Sequence, residues 1–200
     1  MIDEIYRARA KELFAELDKE MCRLGHASGD WCNPGLSEDE ISENERKLGV
    51  VFPDEYKACY SIFNGAFDND HLDVLHAGEI YTGFYLSPLG AWGDDQENMR
   101  LVKEFYYDRG TSELQEMWVK MPLTVIGPAK PMLHHRKWLP ITMPGGWYSW
   151  YADFAPEHGG SAGQIVLVTS DYQSAHVEVV AHDFFEFMEI LISSAKAEPA

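Results

Sequence analysis

The sequence predicts an α+β fold: a single domain in which a twisted antiparallel sheet carries several helices packed against it. Three observations lead there. Between Trp138 and Val168, three runs rich in Trp, Tyr, Phe, Ile and Val are separated by turn residues, and such side chains favour extended backbone because they fit a pleated, half-buried surface. On either side of this stretch, apolar residues recur every three or four positions, the spacing of an amphipathic helix face. Two hundred residues, 46% hydrophobic and 24% charged, suit one globular core.

From Ile2, the positions Tyr6, Ala10, Leu13, Leu17, Met21 and Leu24 form one stripe of a long helix that Gly25 can stop. Gly25 to Gly35, broken by Gly29 and Pro34, reads as a loop. Ser37-Glu-Asp-Glu40 is a capping-box pattern, in which the Ser hydroxyl accepts from a free N–H at the helix start while the Glu reaches back. The short helix that follows turns Ile41 and Leu48 inward and ends at Gly49. Pro53-Asp54-Glu55 opens the next helix, because proline in a first turn costs no intrahelical hydrogen bond. Tyr56, Cys59, Tyr60 and Phe63 are its buried stripe, and Asn64-Gly65 terminates it. Ile80 to Leu86 suggests a strand ending at Pro88. Asp94-Asp95-Gln-Glu97 starts a helix with Met99, Val102, Phe105 and Tyr106 inward and Gly110 at its end, and residues 111–118 add another helical turn or two. Leu123 to Ile126 is short and β-prone before the Gly127-Pro128 loop.

In the central stretch, Trp138-Leu-Pro-Ile141 leads through Gly145-Gly146, a pair suited to a tight hairpin turn, into the strand Trp147 to Phe154. Alternation puts Trp147, Ser149, Tyr151 and Asp153 on one face and Tyr148, Trp150, Ala152 and Phe154 on the other. With aromatics on both faces, helices are expected to cover one side and loops to shield the other, leaving Asp153 near the rim. The Gly159 to Gly163 segment is a tight turn into the strand Gln164 to Val168. His176 to Ala181 is the last strand, and Asp183 caps a terminal helix that buries Phe184, Phe187, Met188 and Leu191. The chain thus divides into an N-terminal helix and loop (1–35), the main domain (36–195) and a frayed tail (196–200).

The formal charge of −17 disfavours nucleic acid, whose binding depends on Lys and Arg displacing counterions from phosphates. It favours steering towards a basic protein, with a merely soluble acidic surface as the plain alternative. Cys22, Cys32 and Cys59 lack paired spacing, no hydrophobic signal segment opens the chain, and no apolar run is long enough to span a bilayer, so a cytoplasmic protein with free thiols is expected.

Chemistry-bearing patterns are sparse. His134-His135 and the group Cys22, His26 and Cys32 lack zinc-site spacing, so no metal is expected. No nucleophile elbow, phosphate loop or dinucleotide turn occurs, so neither catalytic residues nor a cofactor are expected. Asp153 and Glu157 could in principle act as an acid and base on a sugar stacked on Trp147, Trp150 or Tyr151, though these aromatics are needed for the core.

Several fragments in order resemble one family. Leu48-Gly49, Phe52-Pro53-Asp54-Glu55-Tyr56-Lys57 and Phe63-Asn64-Gly65 match its N-terminal pattern; Trp138 to Ile141, Asp153, Pro156, Gly160, Gly163 and Gln164-Ile165-Val166 match its centre. The chain resembles the Smi/Knr-type cell-wall-assembly-regulator family, part of the SUKH superfamily of bacterial toxin-immunity proteins, from roughly Leu36 to Ile192. The resemblance implies a SUKH-like α+β fold and a non-enzymatic domain that binds another protein, usually a toxin and often a nuclease. Candidate contacts are then Glu38, Asp39, Glu43, Asp94, Asp95, Asp153 and Glu157, with Trp147 or Trp150 as an aromatic anchor if exposed. A regulatory adaptor linked to cell-wall assembly and a carbohydrate-binding module are the alternatives, and the oligomeric state stays open.

Overall fold

The computed structural model describes residues 2–29, 31–66, 72–76, 79–84, 88–89, 122–135, 137–141, 148–170 and 173–198. Helix α1 (Glu4–Arg23) begins at Asp3, whose carboxylate accepts from the Ile5 N–H, and ends before Gly25. Strand β1 (Cys32–Pro34) pairs antiparallel with β2 (Phe63–Ala66), so part of the segment expected to be a loop is extended. Between them lie α2 (Glu38–Leu48) and α3 (Asp54–Ile62). Both halves of the α2 capping box are formed, and Gly49 takes the left-handed conformation with φ 65°.

Helix α3 ends one residue early because Phe63 is already extended and the Asn64-Gly65 segment continues as β2. Asn64 therefore does more than stop a helix: its side-chain oxygen accepts from the Leu89 N–H at 2.6 Å. Strands β3 (Leu72–His76) and β4 (Glu79–Phe84) pair antiparallel, and β3, which no sequence pattern pointed to, approaches the terminal helix. The Gly145-Gly146 turn, Trp147 and the helices expected over 94–118 lie outside the described residues.

The main sheet has five strands in the order β5-β9-β8-β7-β6: β5 (Leu123–Ile126), β6 (Trp138–Pro140), β7 (Tyr148–Asp153), β8 (Gln164–Ser170) and β9 (Ala175–Ala181). Strands β6, β7 and β8 are antiparallel as expected and β9 joins β8 antiparallel, but β5 runs parallel to β9, so the sheet is mixed. Helix α4 (Phe184–Ala197) closes the fold, with Asp183 accepting from the Glu186 N–H. Its last turn includes Lys196, which is tied to Glu16 at 2.5 Å.

The period-two pattern of β7 separates two apolar clusters. Trp150, Ala152 and Phe154 join Ile165, Leu167 and the helices, whereas Tyr151 joins Trp138, Val166, Val168 and Val177 beneath the loop around Ala129 and Leu133. Aromatic contacts tie the helical layer to the first face: Tyr56 lies 4.8 Å from Phe52, Tyr60 and Phe184 and 5.5 Å from Phe154, and Phe187 meets Trp150 at 5.7 Å. Helix α1 docks on α3 and α4 by burying Ala10, Leu13, Leu17 and Met21 in the same cluster. Asp18 folds the following loop back by accepting from Ser28, the Gly29 N–H and the Trp31 indole.

Gly35 shows how closely these layers meet. A Cβ there would stand 2.2 Å from the Ser61 carbonyl oxygen, and Leu36 already donates to the Tyr60 carbonyl at 2.8 Å. Gly35→Ala must push backbone against backbone and is expected to lower unfolding stability by roughly 1–3 kcal/mol in urea denaturation. A variant as stable as the parent would contradict this packing.

Candidate functional site

The residues of the central motif form a buried polar junction. Asp153 and Gln164 are register partners at the adjoining ends of β7 and β8, and neither side chain is exposed to solvent. Asp153 accepts from the Ala155 N–H at 2.7 Å and from the Gln164 amide at 3.1 Å. The same amide donates to the Pro128 carbonyl, and the Gln164 side-chain oxygen accepts from the Ser161 N–H. The glycines fit around this junction: a Cβ at Gly160 would stand 2.7 Å from both Gln164 and Pro156, and one at Gly163, with φ +87°, would meet Pro53 at 2.8 Å. Burial raises the Asp153 carboxyl above its ordinary value, while the Ala155 N–H and Gln164 amide pull it back.

This geometry corrects the expected placement of Asp153 near the rim. It has no surface to offer a partner or a sugar, and Glu157, exposed and bonded to Lys130 at 2.8 Å, does not share a cleft with it. Trp150 and Tyr151 are likewise buried, because each faces one of the two apolar clusters. Trp150 is thus removed as an exposed anchor, and neither ring offers a face for stacking on a sugar. Asp94, Asp95 and Trp147 lie outside the described residues.

No group of three His, Cys, Asp or Glu among the described residues is arranged to hold a metal. The His134 ring packs beside Tyr151 at 5.5 Å, and burial depresses its pKa to about 4. Cys59 is buried in the helical core, which pushes its thiol far above the usual range. These are poor settings for a nucleophile or base. No helix among the described residues is long and apolar enough to cross a membrane.

What the structure does assemble is an acidic end. An open depression of about 560 Å³ is lined by Ile2, Asp3, Glu4, Arg7, Glu38 and Asp54, which come from the starts of α1, α2 and α3. Arg7 is already engaged by Glu38 at 3.0 Å. The start of α4 adjoins it: Glu55 is held above its ordinary range first by burial and then by the nearby Asp183 and Asp54. Of the sequence candidates, Glu38 lies in this region and Asp39 follows it on α2, while Glu43 is further along, paired with Arg46 and Lys47. Asp54 and Asp183 were legible only as helix-start residues and Asp3 and Glu4 carried no reading, since nothing in the sequence says that four helices begin at one end.

A family model described as the SMI1 / KNR4 family (SUKH-1) matches residues 35–190. The chain belongs to this family. No curated protein matched it in a sequence search. The SUKH-1 match takes in the polar junction and the starts of α2 to α4 but not α1, which packs into the same core from outside the matched region. Among the central residues that carry the resemblance, Asp153, Pro156, Gly160, Gly163 and Gln164 are therefore explained by folding: they close the β7–β8 connection.

Gln164→Leu tests the junction. It leaves the buried Asp153 without its amide donor and is expected to cost about 1.5–3 kcal/mol. The neutral form of an acid whose folded pKa is raised is the better tolerated one, so stability is lost as pH rises through that pKa. The deficit of the variant should accordingly be larger at about pH 7 than at about pH 4 in urea titrations. A deficit independent of pH would count against the buried carboxyl as its source.

Proposed function

We propose that this SUKH-1 chain is a non-enzymatic, cytoplasmic protein-binding domain that acts as an immunity protein, covering a basic toxin domain encoded with it. The observation that supports this reading is the convergence of Asp3, Glu4, Glu38 and Asp54 around one depression, in a chain of formal charge −17. Carboxylates gathered at one end raise the encounter rate with a cationic surface and repel phosphate backbones. Nuclease surfaces are basic because they bind phosphate, so a nuclease toxin suits this charge. Covering such a surface blocks the toxin without any reaction by the protein itself.

The direct test uses a catalytically inactivated form of the toxin domain encoded beside the gene for binding, and the active form for growth. The chain is expected to bind the first and to restore growth of cells expressing the second. Affinity should fall steeply as salt rises, because charges separated by more than about 8–10 Å are screened near physiological ionic strength. A neighbouring gene that encodes no toxin, absence of binding at low salt, or binding indifferent to salt would each count against the reading.

A further inference from the structure

Helices α1 and α4 lie side by side and run in the same direction, as three contacts along the seam record. Tyr6 stacks on Phe185 at 6.0 Å, Arg9 bonds Glu189 at 2.5 Å, and Glu16 bonds Lys196 at 2.5 Å. The first turn of this seam is left open to water. Ile5 is 78% exposed and Tyr6 37%, while Phe185 is only partly buried. Ile5 is one helical turn before Arg9, so it sits on the side of α1 that faces α4.

A lone exposed isoleucine would mean little, because much of any protein surface is apolar. Its grouping is informative. Ile5, Tyr6 and Phe185 lie together among exposed carboxylates: the N-cap Asp3 and Glu4 at the start of α1, Glu186 and Glu189 on α4. The neighbouring cations are taken up, Arg9 by Glu189 and Glu12 and Arg7 by Glu38. An apolar centre within a charged rim is the anatomy of a protein interface, in which desolvated anchors supply affinity and the rim supplies steering.

We propose that the open end of the α1–α4 seam, centred on Ile5, Tyr6 and Phe185 within the rim of Asp3, Glu4 and Glu186, is where a basic protein partner docks. An apolar side chain of the partner covers Ile5, and its Lys and Arg side chains meet the rim. Charge selects this occupant. A second copy of the chain would bring the carboxylates against their own kind, and a nucleic acid would add phosphates to them. The inference rests on the protein-binding reading above and adds the surface; the whole of α1, including Ile5 and Tyr6, lies outside the region the family model matches.

The experiment measures binding of the inactivated toxin domain encoded beside the gene to four full-length proteins by titration calorimetry. Ile5→Ala removes an exposed side chain and improves helix propensity, so the fold should be kept, as a thermal melt will show. It is expected to weaken binding by roughly tenfold or more. Glu4→Lys is expected to weaken binding and to flatten its salt dependence. Ile126→Ala, at an exposed position of β5, should bind like the parent. If the parent binds while Ile5→Ala and Glu4→Lys bind equally well, the surface is wrong and the protein-binding reading stands. If the parent itself does not bind, that reading fails and the inference fails with it.

Discussion

The arrangement depends on the aromatic junction around Tyr56. One ring on α3 touches Phe52 before the helix, Tyr60 one turn on, Phe154 at the end of β7 and Phe184 at the start of α4. Offset and edge-on ring pairs of this kind add directional attraction of about 0.5–1.5 kcal/mol each to the area they bury. Because Tyr56 is in the first turn of α3 and Phe184 is the first residue of α4, the contact also brings the two helix starts together. Helix α1 completes the layer by laying its own first turns beside those of α4.

Gathering helix starts at one end has an electrostatic consequence. Each start carries partial positive charge and unsatisfied N–H groups, which favours Asp and Glu there. Asp3 and Asp183 are used as caps, and Glu38 accepts from the Ile2 N–H at 3.3 Å. Local helix stability thus accounts for acids at each start taken alone. Glu55, at the same end, is held above its ordinary range chiefly by burial, with the nearby Asp183 and Asp54 adding to it. The same residues that stabilise single helices leave a collective field on the surface.

Patterns confined to a short stretch of chain were readable in the sequence. The capping box at Ser37 and Glu40, the stop at Gly49 and the two faces of β7 follow from local stereochemistry and the periods of helix and strand. Long-range pairing was not readable. Residues 32–34 are extended only because Phe63 to Ala66 lies beside them, and β5 is parallel to β9 although a connection between them gives no local sign of direction. Asp153 misled for the opposite reason: a carboxylate at a strand end normally points to water, and only the long-range approach of Gln164 explains its burial. The acidic end was invisible because its members are spread from Asp3 to Asp183.

On the proposed reading, these two sets of residues divide the molecule between folding and recognition. The residues around Asp153 and Gln164 close a connection inside the protein, and the helix starts line its surface. Hydrogen–deuterium exchange on the chain with and without the toxin domain proposed as its partner tests this division most directly. The account predicts added protection over residues 2–12 and 183–190, with the 154–163 connection unchanged. Protection confined to 128–135 and 154–163, with the α1 and α4 starts exchanging as in the free protein, would contradict it.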